Sequence, residues 1–146
     1  MKAFAPFLCY LVVVLCATVR ADIYRWDNSQ LIPGTKGITP GPWVVLDNRE
    51  LAFAALLERD LTDARFDFSN LTGAYLQYST LTNADLTGAV VTGASFDGTT
   101  SRGFTQAQLA STSSYQTKNL RGIGLSSNTA RCPSTCPPGD RSGTPR

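Results

Sequence analysis

The chain has 146 residues, with thirteen Lys+Arg against eleven Asp+Glu, no His, and a formal net charge of +2. That length suits one domain with a modest core. The six basic residues beyond position 99 are scattered, which argues against the concentrated basic stripe of a nucleic-acid binder. The lack of His removes the commonest general base and a frequent metal ligand.

Residues 1–21 read as a secretory signal peptide. MK is the positive start, AFAPFLCYLVVVLCA the apolar run, and Val19 and Ala21 the small residues before the cut. The run is short for a spanning helix, which needs about 20 apolar residues. A retained N-terminal anchor is the alternative, because Arg20 lies beside the cut. Removal of residues 1–21 takes Lys2 and Arg20 with it, leaving 125 residues with eleven basic and eleven acidic side chains. The remainder carries −1 over 22–53, −4 over 54–98 and +5 over 99–146. The expected location is secreted or periplasmic, with no membrane span once the signal is gone.

Residues 22–53 form an N-terminal cap segment in this reading. Ile23, Trp26, Leu31, Ile32, Trp43 and Val44 are expected to plug one end of the segment that begins at Ala54, with PGT and PGP as turns. The two Trp could alternatively mark a sugar- or lipid-binding surface.

From Ala54 to Gly98 the chain divides into nine consecutive pentads: AALLE, RDLTD, ARFDF, SNLTG, AYLQY, STLTN, ADLTG, AVVTG and ASFDG. Their centres are Leu56, Leu61, Phe66, Leu71, Leu76, Leu81, Leu86, Val91 and Phe96. Two residues before each centre stands Ala or Ser in eight of nine cases. A period of five fits neither a helix nor a strand.

This block resembles the pentapeptide-repeat family, whose pattern is roughly A-(D/N)-L-x-x. The resemblance implies an all-β fold, a right-handed quadrilateral β-helix with four pentads per coil. Side chains twenty apart should then stack, as in Leu56/Leu76/Phe96, with Arg65 over Asp85. Thr62, Thr72, Thr82, Thr87 and Thr92 should form outward hydroxyl ladders, and Gly73, Gly88 and Gly93 should serve the corners. Arg59 stands where a small residue belongs, so the first coil is either irregular there or Leu56 belongs to the cap. NRELAFAALLER could also be a short helix, although Leu46 and Leu51 continue the five-residue register upstream.

Residues 99–128 hold one short inserted α-helix near 106–115, started by the capping box Thr105-x-x-Gln108, and residual repeats at Leu120 and Leu125. GFTQAQLASTSSYQTKNLRGIGLSSN is similar to a segment of exported bacterial pentapeptide-repeat proteins, in which more repeats come after it. Residues 129–146 instead form a tail expected to be disordered, TARCPSTCPPGDRSGTPR; the chain reads as truncated after the repeats with its native continuation missing, a natural disordered tail being the alternative. Cys132 and Cys136 are candidates for a local disulfide in an oxidising compartment, with free thiols as the alternative. A zinc site would need further ligands.

No catalytic constellation is visible, and no cofactor or metal is expected. There is no G-x-S-x-G and no phosphate loop, and Asp60, Asp63 and Asp67 fall on successive outer faces. The family also includes DNA mimics that occupy a topoisomerase, but a −4 repeat block behind a signal peptide suits that poorly. The expected role is a non-enzymatic, extracytoplasmic structural or protein-interaction module with an unknown partner in the cell envelope or outside. End-to-end self-association through an open coil is a further option. Phe68, Tyr75 and Tyr78 are the candidate outward aromatic patch, unless the cap or the helix packs over them.

Overall fold

The structure, a computed structural model, describes residues 22–127. The expected signal peptide, the 129–146 tail and the Cys132/Cys136 pair lie outside the described residues.

One pentad shows how the coil is built. Leu71 points inward, and Thr72 and Gly73 turn the chain. The Ala74 N–H then donates to the Leu71 carbonyl at 3.0 Å. Gly73 has φ +65°, the left-handed third position of a tight turn. The same bond closes the turns after Leu61, Phe66, Leu76, Leu81, Leu86 and Val91. Between turns the chain pairs with the next coil. Leu71 N–H donates to Val90 O and Gly73 N–H to Thr92 O, while Asn70 N–H reaches back to Arg49 O.

Parallel bridges join residues twenty apart in four rows, starting at Val45↔Arg65, Glu50↔Asn70, Ala55↔Tyr75 and Asp60↔Thr80. Four pentads therefore make one turn. No extended strand or sheet forms among the described residues, which corrects the all-β expectation in one respect. Each side spends most of its residues on the corner, so pairing appears as columns of single bridges.

The nine repeat centres are all buried, from Leu56 to Phe96, as are Ala54, Ala64, Ala74, Ala84, Ala89 and Ala94. Leu46 and Leu51 are likewise 0% exposed, and their neighbours Val45 and Glu50 bridge to the next coil. The coils therefore begin before Ala54, and the cap is shorter than 22–53. No helix forms over 48–59.

Arg59 is accommodated without breaking the coil. Its side chain is exposed while Leu56 stays buried. The buried Ser79 hydroxyl sits in the turn instead, accepting from Arg59 N–H at 3.0 Å and donating to Leu56 O at 2.6 Å. Neither backbone group is left unsatisfied.

The N-terminal end is closed by Ile23 and Ile32, 1% and 2% exposed, beside the buried Thr35. Tyr24–Trp26 pairs antiparallel with the first coil, through Trp26 N–H to Phe53 O and Ala55 N–H to Tyr24 O. Both Trp and Leu31 stay outside the axis, contrary to the expected plug, and Trp43 is 71% exposed. The β-branched Ile side chains fill a narrow bore that an indole would overfill.

After Gly98 a 3₁₀ turn (Thr100–Arg102) leads to Phe104, whose ring stacks on Phe96 at 4.6 Å. Two helices come next where one was expected, α1 (Gln106–Ser111) and α2 (Ser113–Gln116). Thr112 is extended and divides them; its hydroxyl donates to Leu109 O and accepts from Tyr115 N–H. The capping box forms as expected, and Gln108 Nε2 also donates to Leu81 O and Ala84 O at 2.8 Å each. The helices thus take over carbonyls and amides that a further coil would have paired: Gly88 N–H reaches Ser111 O and Val91 N–H reaches Ser114 Oγ. Pentads then resume, with Gly124 bridged to Ser95.

Candidate functional site

The outward faces carry two local devices. The first spans three of the bulky centres, Leu61, Leu71 and Leu86. Asp60 Oδ1 accepts from both the N–H and the hydroxyl of Thr62, at 3.1 and 2.6 Å. Asn70 does the same for Thr72 at 3.0 and 2.6 Å, and Asp85 accepts from Thr87 N–H at 2.9 Å. This explains the D/N-L-T pattern: the short polar side chain caps the turn after it. It also corrects the expected hydroxyl ladders, because Thr62 and Thr72 bond along their own side rather than between coils.

Arg65 and Asp85 are in bridge register, yet the guanidinium lies 3.5 Å from Asp67 instead. That pair, with Arg65 53% exposed, is worth about 0–1 kcal/mol.

The second device places an aromatic ring over a glycine one coil on. A Cβ built on Gly88 would meet Phe68 Cδ1 at 2.6 Å, one on Gly98 would meet Tyr78 Cδ1 at 2.5 Å, and one on Gly73 would meet Phe53 Cε1 at 2.8 Å. Phe68 and Tyr78 remain 63% and 45% exposed. Tyr75 is covered: Trp26 stacks on it at 4.2 Å and 7°, and the indole N–H donates to Gly73 O at 2.8 Å. Phe53 and Arg25 complete that cluster. Phe68, Tyr75 and Tyr78 therefore do not form one patch. Phe68 and Tyr78 occupy corners two apart in a four-cornered coil, and Tyr75 belongs to the cap contact. The sequence signal that would have found the ring–glycine pairs is Phe or Tyr at a corner with Gly twenty residues later.

The capping bonds also set the titration. Thr62 holds the Asp60 carboxyl below its usual range, chiefly through its hydroxyl, and Thr87 does so for Asp85 with a smaller contribution from Arg65. A carboxyl lowered in the folded state contributes stability above its unfolded value of about 3.9, lost as pH falls through the folded value. The melting temperature should accordingly drop below about pH 4. Asp60→Asn with Asp85→Asn should flatten that drop while leaving neutral-pH melting nearly unchanged, since Asn70 shows that an amide oxygen caps equally well. An acid limb as steep as the parent's would sink this account.

Among the described residues, no group of three or more Cys, Asp or Glu could hold a metal, and no helix is long and apolar enough to cross a membrane. An open groove of about 610 Å³ is lined by Ala110, Tyr115, Gln116, Lys118 and Leu120.

Residues 60–100 match the family model of pentapeptide repeats, in eight copies. The chain carries pentapeptide repeats. Such repeats normally form a β-helix, which the four rows of bridges match in register, and proteins built from them are generally non-catalytic structural or interaction modules. No curated protein and no solved structure matches the chain.

Proposed function

We propose that this pentapeptide-repeat chain is a non-enzymatic, extracytoplasmic module that presents rigid faces to a protein partner in the bacterial cell envelope or outside the cell. The right-handed, four-sided winding of the family belongs to this reading, as does export directed by residues 1–21. The observation that supports it best is how the polar side chains outside the coil are used. Asp60, Asn70 and Asp85 are tied to the threonine of their own side, so they stiffen the surface instead of converging on a cleft. What the faces offer is apolar: Phe68 stands out at 63% exposure over Gly88, and Trp43 at 71%. Aromatic side chains held this way suit hot spots of recognition.

The test places a photo-crosslinking amino acid at Phe68, Trp43 or Asn83 of the full chain in exporting cells. The expected result is a protein lacking residues 1–21, with a discrete protein adduct from Phe68 or Trp43 and none from Asn83. Retention in the cytoplasm with the leader intact, or the same adducts from all three positions, would overturn the proposal.

A further inference from the structure

Aromatic rings at the corners of the coil are of two kinds. Phe53, Phe68 and Tyr78 each have glycine twenty residues on, at Gly73, Gly88 and Gly98, and each ring lies 2.5–2.8 Å from where a Cβ on that glycine would sit. Trp43 has Asp63 there instead. The Asp63 Cβ takes up the resting place of a ring, so the indole stands clear of the coil. At 71% it is the most exposed of the large apolar side chains described. Trp43, Asp63 and Asn83 share one corner on successive coils, at φ 57°, 55° and 56°, two residues before the bridged column Val45, Arg65 and Asp85. Coils stack about 4.8 Å apart, so the three cover roughly 10 Å of that edge. Among the described residues no ring contact or hydrogen bond engages the indole, and the side chains of Asp63 and Asn83 have no partner. Polar groups close by are already engaged: Asp60 accepts from Thr62, Asp85 accepts from Thr87, and Arg65 lies beside Asp67.

We infer that this corner is a saccharide-binding edge, which takes a linear chain of neutral pyranoses. A pyranose has an apolar C–H face and a rim of hydroxyls. The C–H face fits a flat indole that nothing else covers, with Val45, 50% exposed, beside it. A carboxylate accepts from hydroxyls, and a carboxamide both donates and accepts. Both kinds of group stand here at a spacing fixed by the coil, so little ordering opposes binding. Three positions over roughly 10 Å outreach a single sugar ring, which favours a chain. The unpartnered Asp63 carboxylate repels acidic polymers, so the sugars are neutral. An anionic lipid surface is disfavoured likewise, since it would call for Lys or Arg where Asp63 stands. A protein hot spot would surround the indole with residues that exclude water, whereas Asp63 and Asn83 continue its column. This goes beyond the protein-partner reading, which Phe68 carries from a different corner.

The experiment follows depletion of the full chain from solution by chitin and by cellulose, with calorimetry against their soluble hexasaccharides. It compares the parent with Trp43→Ala, Trp43→Tyr, Asp63→Ala and Phe68→Ala. The parent should bind at least one of the two polymers, and neither polygalacturonate nor phosphatidylglycerol vesicles. Trp43→Ala should weaken binding at least about tenfold, as truncation of a hot spot does, with an unchanged melting curve. Trp43→Tyr covers the case in which truncation disturbs the corner, and should recover most of the binding. Asp63→Ala should weaken binding about threefold to tenfold through lost hydrogen bonds, and Phe68→Ala should bind as the parent does. A parent that takes up neither polymer, a Trp43→Ala variant that binds like the parent, or equal binding to polygalacturonate or to the vesicles each overturns the inference. Failure here with the Phe68 protein adduct intact would remove the saccharide and leave the interaction reading standing. Loss of that adduct with saccharide binding intact would do the reverse.

Discussion

Phe66→Ala should destabilise the protein by about 3–5 kcal/mol. Phe66 is 0% exposed in the middle of the stack, between Leu46 and Leu86 in its column, and its turn carbonyl is held by both the N–H and the hydroxyl of Ser69. Removing the ring leaves a void whose walls are backbone coils tied above and below, so they cannot collapse inward as loosely packed helices can. In a repeat array each coil is stabilised mainly by its neighbours. A void in the second of so few coils should thus weaken the whole array in one cooperative transition. Denaturant unfolding followed by circular dichroism measures it. A loss below about 1 kcal/mol would show that the coils yield around the gap, and would count against a close-packed bore.

Gly88→Ala should cost about 2–4 kcal/mol, from a left-handed backbone and from overpacking against Phe68. The backbone alone does not demand glycine at this corner, since Phe68, Tyr78 and Asn83 hold the same conformation at φ 56°. What demands it is the ring lying above, 2.6 Å from where the methyl group would sit. Phe68→Ala removes that ring, so in its background Gly88→Ala should cost only the backbone share, about 1–2 kcal/mol. The two sites should couple by about 0.5–3 kcal/mol in a double-mutant cycle. Strict additivity would mean that the exposed ring moves aside freely, and the ring–glycine pairing would lose its explanation.

Much of the fold was legible because a five-residue period is a one-dimensional signal. Each of the nine centres from Leu56 to Phe96 is buried, the twenty-residue stacking arises from four pentads per coil, and the capping box at Thr105 forms as expected. In sequence Arg59 looks like a fault in the first coil. The hydroxyl that repairs it comes from Ser79, twenty residues away, so the local sequence holds no trace of the remedy. The single helix expected over 106–115 is two because Thr112 caps both, a choice between two roles open to the same residue.

The outer surface was the harder part. Phe68, Tyr75 and Tyr78 are close in sequence, but a chain that turns every five residues sends neighbours to different corners, and Trp26 returns from the cap to cover Tyr75. Likewise the repeat pattern points the threonines and Asp85 toward contacts between coils. Capping bonds within the side take Thr62, Thr72 and Asp85 instead, because their partners lie only two residues away, whereas the Thr92 hydroxyl does reach Asn119 O on the following layer.

The sequence by itself determined the period and the inward residues, and its family resemblance pointed to the stacked coil, because burying one apolar side chain per five residues is a local rule repeated along the chain. Only the tertiary structure decided which end of the stack is sealed, which aromatics are covered, and that Leu125 is left exposed. Those outcomes depend on where segments outside the repeat come to rest, and residues outside a repeat carry no periodicity from which to read it.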